Sequence, residues 1–261
     1  MWNLIIDDPL PGSMNMAIDE VLLHRCDDTP VLRLYQWSKP TVSLGMAQQL
    51  IKHVNLDFCR KNGIPAVRRI TGGKAVLHDR ELTYCLCGPV NVPPFCLSLL
   101  DTYREIGNAF CEALKRLDIK AELASRRQKQ PQSTISSCFA NASSYEILAS
   151  GKKLLGSAQK RIRNRVLQHG SLLMEYDSEK WRAVFLRHNS TLEDRVTDIE
   201  TETGKAFSMD ALIESVCEGF SKYFGITFRL TSLTRSELSL AHEKAERTYF
   251  DLAGILDSEA G

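Results

Sequence analysis

The sequence has no long apolar run and no basic leader segment. No stretch approaches the roughly 18 consecutive apolar residues that a membrane-spanning helix requires. The opening segment, MWNLIIDDPLPG, contains no lysine or arginine and only a short apolar run, so it does not resemble a signal peptide. These absences predict a cytoplasmic protein without a membrane-spanning helix.

The chain also lacks a strong net charge. Its 33 lysines and arginines almost balance its 32 aspartates and glutamates, which leaves a formal charge of +1. Proteins that bind nucleic acid or an anionic membrane through their overall field carry a clear positive excess, so neither class is favoured. The 261 residues are 43% hydrophobic, which is enough to form a globular core.

Paired cysteine motifs are absent as well. Eight cysteines are scattered along the chain, and the one close pair, Cys85 and Cys87, has no second pair to complete a zinc site. No histidine spacing resembles a metal-binding set. We therefore predict no metal site, and we interpret most of the cysteines as free thiols that pack as small apolar residues.

Hydrophobic periodicity predicts an α+β protein with mixed and antiparallel sheets flanked by helices. The predicted helices cover 14–22, 55–63, 99–117, 178–186, 208–225 and 234–250. The predicted strands cover 31–37, 41–45, 65–70, 75–78, 82–88, 144–149, 153–161, 165–174 and 226–230. Ser208 is expected to cap a helix, and Thr234 and Glu237 have the spacing of a capping box. The polar segment 121–137 is predicted to be a long loop.

A glycine pair separates two strand-like segments in RRITGGKAVLHDRELTY, residues 68–84. Because Gly72 and Gly73 carry no Cβ, they allow a tight turn and the close approach of another backbone or of a ligand. Arg68 and Arg69 point to opposite faces of their strand, so at most one of them easily faces a ligand near the turn. The alternative is an ordinary hairpin with solvated arginines.

A second candidate region is GKKLLGSAQKRIRNRVLQHGS, residues 151–171, with six lysines and arginines between residues 152 and 165. These cations form either a solvated sheet edge or a surface for an acidic partner. The small residues Gly-Ser-Ala at 156–158 leave space for something to lie against the sheet. His169 stands beside Gly170, and the residue pattern alone leaves open whether this histidine is structural or functional.

Cys138 differs from the other cysteines because it follows a polar loop and stands among serines, in SSCFANASSYE. A thiol at the end of a loop and near cations is in the setting where a reactive thiolate occurs. Its ordinary pKa is about 8.5, and a nearby ammonium would lower it. Cys138 is therefore a candidate nucleophile.

Three segments, taken in order, resemble the lipoate-protein ligase and octanoyltransferase family: RRITGGKAVLHDRELTY, GKKLLGSAQKR and LQHGSLL. MNMAIDEVLL and PVLRLYQWSKPTVSLGMAQ also resemble its N-terminal half, so the likeness covers about residues 2–250. It implies the catalytic fold that this family shares with biotin protein ligases. It also implies a single catalytic domain over residues 1–261, with a core at about 30–230 and no accessory C-terminal domain.

Within the family, SCFANASSYEILASGKKLLGSAQ resembles the octanoyl-[acyl carrier protein]:protein octanoyltransferases, although Ala142 stands where proline is common. This likeness implies that Cys138 forms an acyl thioester. Lys153, the family's site lysine, would lower the pKa of the Cys138 thiol and stabilise the developing oxyanion. No cofactor is implied, because transfer from a thioester to an amide is downhill.

The resemblance further implies an acyl-binding pocket. Its substrate-binding residues are Arg69, Thr71, Gly72, Gly73, His78, Gly156, Ser157, Ala158, His169 and Gly170. The implied donor is octanoyl-acyl carrier protein. The implied acceptor is a lysine of a lipoyl domain, in the E2 subunit of a 2-oxoacid dehydrogenase or in the glycine cleavage H protein.

Three alternatives remain. One is an ATP-dependent lipoate ligase with a separate accessory polypeptide, and another is an amidotransferase that moves octanoyl groups between carrier proteins. The third is a nucleic-acid-binding module that uses residues 152–165. The third is disfavoured because the net charge is nearly neutral and no aromatic residues alternate with those cations.

Overall fold

The computed structural model describes residues 1–25, 27–124, 146–186, 195–249 and 251–252. The strands are β1 (Trp2–Ile6), β2 (Val31–Tyr35), β3 (Thr41–Leu44), β4 (Ala66–Arg68), β5 (Val76–His78), β6 (Glu81–Pro89), β7 (Ala121–Leu123), β8 (Ile147–Ala149), β9 (Lys152–Arg161), β10 (Arg165–Leu173) and β11 (Phe228–Leu230). The helices are α1 (Gly12–Leu23), α2 (Leu56–Lys61), α3 (Leu99–Lys115), α4 (Ser178–Val184), α5 (Ile199–Thr203), α6 (Met209–Phe224) and α7 (Arg235–Arg247).

Eight strands form one mixed sheet in the order β11-β1-β2-β6-β10-β9-β8-β7. In this sheet β1 runs parallel to β2 and to β11, whereas the other neighbours are antiparallel. A separate three-stranded sheet has β3 at its centre, parallel to β4 and antiparallel to β5. The architecture is therefore α+β with mixed sheets flanked by helices, as the sequence predicts.

The long strands β6, β10 and β9 separate two environments. On one face, Leu82 and Tyr84 pack in the largest apolar core, which helices α3 and α6 complete. On the opposite face, the register places His169 between Cys85 of β6 and Ala158 of β9. Because side chains alternate along a strand, polar residues can gather on this second face while the first stays apolar.

Helix caps agree with the sequence analysis. The Ser208 side chain accepts a hydrogen bond from the backbone N–H of Ala211 at the start of α6. At the start of α7, Thr234 and Glu237 form the predicted capping box, in which each side chain accepts from the other residue's backbone N–H. These bonds satisfy donors that the first helical turn would otherwise leave unpaired.

Two strands were not predicted. Strand β1 is interior, because Trp2 pairs with Phe228 and Asn3 pairs with Val31. Four of its five residues are buried, so it lacks the alternation that marks a half-buried strand. Residues 121–123 were predicted to begin a loop, but they form β7 because Ala121 to Leu123 pair with β8. The predicted core begins at about residue 30, but buried residues also lie before that position, in β1 and α1.

No helix in the described ranges is long and apolar enough to cross a bilayer.

Candidate active site

A cavity of about 420 Å³, including its open mouth, lies between the two sheets and helix α1. Seven of the ten residues implied as substrate-binding are in its wall: Arg69, His78, Gly156, Ser157, Ala158, His169 and Gly170. Met16, Trp37 and Val76 add apolar surface to the wall. Segments that are distant in sequence therefore converge on one cavity.

Close strand packing at the cavity requires small residues. A Cβ on Gly170 would lie 2.3 Å from the Gly156 carbonyl oxygen and 2.7 Å from the Tyr84 ring. The Tyr84 hydroxyl and the Ser157 hydroxyl are also in hydrogen-bond contact at 2.8 Å. Any side chain at position 170 would push strands β9 and β10 apart, so this glycine fixes the shape of the wall.

The Gly-Gly turn wraps around the Arg69 guanidinium. Its Nη2 donates to the carbonyl oxygens of Gly72 at 2.9 Å and Lys74 at 2.7 Å. Gly73 has φ +93°, and a Cβ there would lie 2.9 Å from Arg69 Nη2. In the structure, Thr71, Gly72 and Gly73 therefore do not line the cavity; they hold the arginine that does.

Arg69 also donates to two hydroxyls, and each of these contacts a buried histidine. Its Nη1 lies 3.0 Å from Ser43 Oγ, and its Nε lies 3.1 Å from Thr71 Oγ1. Ser43 Oγ is 2.7 Å from His78 Nε2, and Thr71 Oγ1 is 2.7 Å from His169 Nε2. Because a guanidinium only donates, both hydroxyls accept from Arg69 and keep their own protons available for the histidine Nε2.

Both histidines contact a carboxylate through their other nitrogen. His78 Nδ1 lies 2.7 Å from Glu81 Oε1, and His169 Nδ1 lies 2.9 Å from Asp19 Oδ2. Since an ionised carboxylate only accepts, Nδ1 of each ring carries a proton and donates it to the carboxylate. The hydrogen-bond pattern thus places a proton on Nδ1 of both rings.

Burial determines the charges around His169. It lowers the pKa of His169 by more than the neighbouring Asp19 raises it, which favours the neutral ring. Burial alone would raise the pKa of Asp19, but the hydrogen bond from His169 and the charge of Arg33 bring it below its usual value. Arg33 Nη1 donates to Asp19 Oδ1 at 2.8 Å, so the carboxylate remains charged and paired.

Trp37 covers one face of the His78 ring. The two rings stack with centroids 3.9 Å apart and an angle of 11° between their planes. The indole Nε1 donates to Thr83 Oγ1 at 2.8 Å. Trp37, Asp19, Glu81 and Ser43 were not predicted as site residues. All four lie in family-like segments: Asp19 in MNMAIDEVLL, Trp37 and Ser43 in PVLRLYQWSKPTVSLGMAQ, and Glu81 in RRITGGKAVLHDRELTY, three residues after His78.

Lys153 is buried on β9, the strand that also supplies Gly156 to the cavity. Its Nζ lies 2.5 Å from Glu146 Oε1, and the two side chains are 1% and 6% exposed. Its backbone N–H donates to the Arg195 carbonyl oxygen, and its own carbonyl accepts from Thr197. The structure therefore holds Lys153 firmly but does not place it in the cavity wall. Cys138 lies outside the described residues.

The cations between residues 152 and 165 do not form one surface. Lys153 and Arg165 are buried, and Arg165 Nη1 donates to the Asp27 carbonyl oxygen. Arg161 Nη2 donates to Thr102 Oγ1 at 2.7 Å. This dispersal removes the continuous basic face that the nucleic-acid alternative needs. The described part of the chain contains no cluster of three or more His, Cys, Asp or Glu residues that could hold a metal ion.

Residues 11–221 match the family described as lipoyl protein ligase A/B catalytic domain. The chain is 35% identical over 257 residues to octanoyltransferase LipM of Carboxydothermus hydrogenoformans, covering 94% of this chain and 93% of the relative. It is 33% identical over 262 residues to octanoyltransferase LipM of Staphylococcus aureus, covering 94% and 95%.

Solved structures of lipoate-protein ligases are also similar to this chain. A lipoate-protein ligase A bound with ATP superposes with a TM-score of 0.80 at 26% identity, covering 94% of both chains. A bi-partite lipoate protein ligase from Thermoplasma acidophilum, solved in a study that includes its E2 lipoyl domain, has a TM-score of 0.78 at 24% identity and covers 94% and 92%. The predicted lipoate ligase fold is confirmed.

We expect the stability of the protein to fall as the pH decreases from about 7.5 to about 5.5, in part because of His169. Its pKa in the folded state is below the unfolded value of about 6.5, so the unfolded chain takes up a proton first. The contribution of the neutral His169 ring to the free energy of unfolding is fully present above the unfolded pKa. It is lost as the pH falls below that value. Thermal unfolding midpoints across this range would measure the slope.

His169→Gln should flatten that slope, because glutamine does not titrate. His24→Gln is the matched control, since it makes the same substitution at a histidine whose side chain is 54% exposed. Equal slopes for the native protein and His169→Gln would contradict the assignment of a neutral, buried imidazole.

The Lys153–Glu146 pair yields a second prediction. Removing either partner leaves a buried charge, so Glu146→Gln or Lys153→Met alone should each cost roughly 3–5 kcal/mol of unfolding free energy. The double variant Glu146→Gln/Lys153→Met should recover most of this loss, because no charge then remains buried. Denaturant unfolding of the four proteins forms a double-mutant cycle.

The control pair is Lys180–Asp79, at 2.6 Å with side chains 33% and 23% exposed. Asp79→Asn should cost at most about 1 kcal/mol because solvent screens that pair. Additive losses at positions 146 and 153 would show that the two charges are not coupled.

Proposed function

The chain belongs to the lipoyl protein ligase A/B catalytic domain family and is an acyltransferase that moves octanoyl groups in protein lipoylation, and from this premise we propose its donor, acceptor and mechanism. The donor is octanoyl-acyl carrier protein. The acceptor is the ε-amine of a lysine on a lipoyl domain, in an E2 subunit or in the glycine cleavage H protein. A cysteine thioester links the two half-reactions.

The observation that carries this proposal is the composition of the cavity wall. The motif residues of β9 and β10 lie opposite Arg69 and His78, and Met16, Trp37 and Val76 supply apolar surface for a fatty chain. Gly156 and Ala158 on β9 keep this part of the wall free of large side chains. The polar atoms of Arg69, His78 and His169 are linked through the Ser43 and Thr71 hydroxyls, so they shape the wall without competing for an apolar ligand.

The thiol of Cys138 starts the first half-reaction by losing its proton and attacking the thioester carbonyl carbon. A carbon–sulfur bond to Cys138 forms, the bond to the carrier sulfur breaks, and the carrier leaves as a thiol with a proton. In the second half-reaction, the lysine amine attacks the enzyme thioester, an amide forms, and the Cys138 thiol is regenerated. Energy falls from thioester to amide, so ATP is not consumed.

Lys153 supplies positive charge to this chemistry. An ammonium close to Cys138 stabilises the thiolate and the oxyanion that develops on the carbonyl oxygen. The bond to Glu146 keeps the ammonium in one place before substrate arrives. A fixed charge needs little reorganisation during the reaction, and this is why we assign the catalytic role to this lysine.

Acylation of the native protein is the first test of this function. Mixing the protein with octanoyl-acyl carrier protein should add the mass of one octanoyl group, and Cys138→Ser should show no stable thioester adduct. Intact-mass spectrometry, with hydroxylamine to release thioesters, makes the measurement. No adduct on the native protein would refute the cysteine route.

The same mixture separates the rivals. Formation of AMP from ATP and lipoate, with activity surviving in Cys138→Ala, would identify a ligase, the activity named for a structural neighbour bound with ATP. Acylation only from an octanoyl amide on another carrier protein would identify an amidotransferase.

Lys153 is tested by the rate of the first half-reaction. The Lys153→Met/Glu146→Gln variant should acylate at least about 100-fold more slowly than the native protein, because transition-state charge is no longer stabilised. This double variant is used because its expected stability is close to native. Rapid-quench mass spectrometry gives the rate, and unchanged acylation would remove Lys153 from the mechanism.

A further inference from the structure

A second recess adjoins the cavity. It encloses about 710 Å³, including its open side, and Arg69 lies in the wall of both spaces. Arg68, Lys160 and Met46 lie in its wall as well, and we call this recess the basic cleft. Arg68 and Arg69 point to opposite faces of the chain. Arg68 lies in the wall of the cleft alone, whereas Arg69 lies at the boundary between the cleft and the cavity.

Arg68 is fixed in the basic cleft by neutral partners. Its Nη1 donates to the carbonyl oxygens of Gly45 at 3.1 Å, Met46 at 3.2 Å and Gln48 at 2.6 Å. Carbonyl oxygens orient the guanidinium but do not cancel its charge. No carboxylate in the described part of the chain forms an ion pair with Arg68.

Lys160 provides a second charge at the same place. Its Nζ lies 3.9 Å from Met46 Sδ, so Met46 contacts both cations and they frame one short stretch of the cleft. Over the ranges the structure describes, Lys160 has no carboxylate within ion-pair distance. Both side chains are partly exposed, which leaves them accessible to a partner.

Among the described residues, one acidic side chain lies in the cleft wall, and it is already compensated. Glu20 lies 3.2 Å from the Lys244 ammonium and accepts a hydrogen bond from the Tyr249 hydroxyl at 2.8 Å. Arg68 and Lys160 therefore leave the basic cleft with a net positive charge, although the whole chain is nearly neutral. A local charge of this kind selects partners more than it raises overall affinity.

The position of the cleft matches the reach of a lysine side chain. Lys160 is two residues beyond Ala158 of the cavity wall, so their Cα atoms are about 7 Å apart. An acceptor lysine extends about 6 Å from its Cα, and neighbouring Cα atoms in the acceptor are about 3.8 Å apart. A carboxylate beside that lysine would thus lie within about 10 Å of the amine, a reach comparable with the spacing between Ala158 and Lys160.

We propose that the basic cleft, through Arg68 and Lys160, binds acidic side chains that flank the target lysine of the acceptor protein. This inference rests on the proposed function, since it assumes a protein lysine as acceptor. The cleft then acts in the second half-reaction: it orients the acceptor so that the amine enters at the cavity. A lysine without acidic neighbours would be acylated poorly.

The test measures the two half-reactions separately. Lys160→Glu should lower kcat/KM for transfer from the acyl-enzyme to a recombinant lipoyl domain at least about tenfold more than it lowers the acylation rate. Lys160→Met should lower kcat/KM for this transfer less. The effect should weaken as salt rises, because salt screens exposed charges. The matched control is Lys205→Glu, the same charge change at an exposed lysine outside the cleft.

A charge swap decides the point. A lipoyl domain whose acidic residues beside the target lysine are changed to lysine should be a poor acceptor for the native protein and a better one for Lys160→Glu. Equal losses with the native lipoyl domain and with a short lysine amide lacking carboxylates would overturn the proposal. A loss confined to the acylation step would also overturn the proposal. It would assign the cleft to the phosphate on the arm that carries the octanoyl group in the acyl carrier protein. Absence of any acyl adduct on the native protein would instead refute the proposed function.

Discussion

The arrangement of the site depends on one buried guanidinium. Arg69 donates hydrogen bonds to the Gly72 and Lys74 carbonyl oxygens in the turn, to Ser43 in the small sheet and to the Thr71 hydroxyl. A buried charged group is tolerated only when its donors are satisfied, and here the backbone and two hydroxyls satisfy them. The turn, the small sheet and the residues that touch the histidines are therefore held at fixed distances by a single side chain.

The orientation of these bonds gives the cavity a defined electrostatic character. Arg69 donates to both hydroxyls, each hydroxyl contacts a histidine, and the histidines donate to Glu81 and Asp19 through Nδ1. The polar groups of the cavity wall thus already have hydrogen-bond partners. Beyond the charge of Arg69 itself, positive charge lies in the basic cleft, whereas the Lys153 ammonium is paired with Glu146.

The sequence was sufficient for the fold class, for most helices and strands, and for the segments that converge on the cavity. Glycine pairs and small residues in strands marked these segments, because a missing side chain leaves space for a neighbouring backbone or a ligand. The sequence could not reveal that Gly72 and Gly73 hold Arg69 instead of facing the ligand, since this depends on the path of the turn. Asp19 and Glu81 were missed for a related reason: an acidic residue in an ordinary helix or strand gives no local signal of a partner brought to it by the fold.

The pairing of β1 with β11 has a consequence for how the chain folds during synthesis. Trp2 leaves the ribosome 226 residues before its neighbour Phe228 is made. Until then, one edge of β1 has no strand beside it, and an open apolar edge invites pairing with other chains. Completion of the large sheet is consequently a late, long-range event, which favours slow folding and a need for protection of the nascent N-terminal strand.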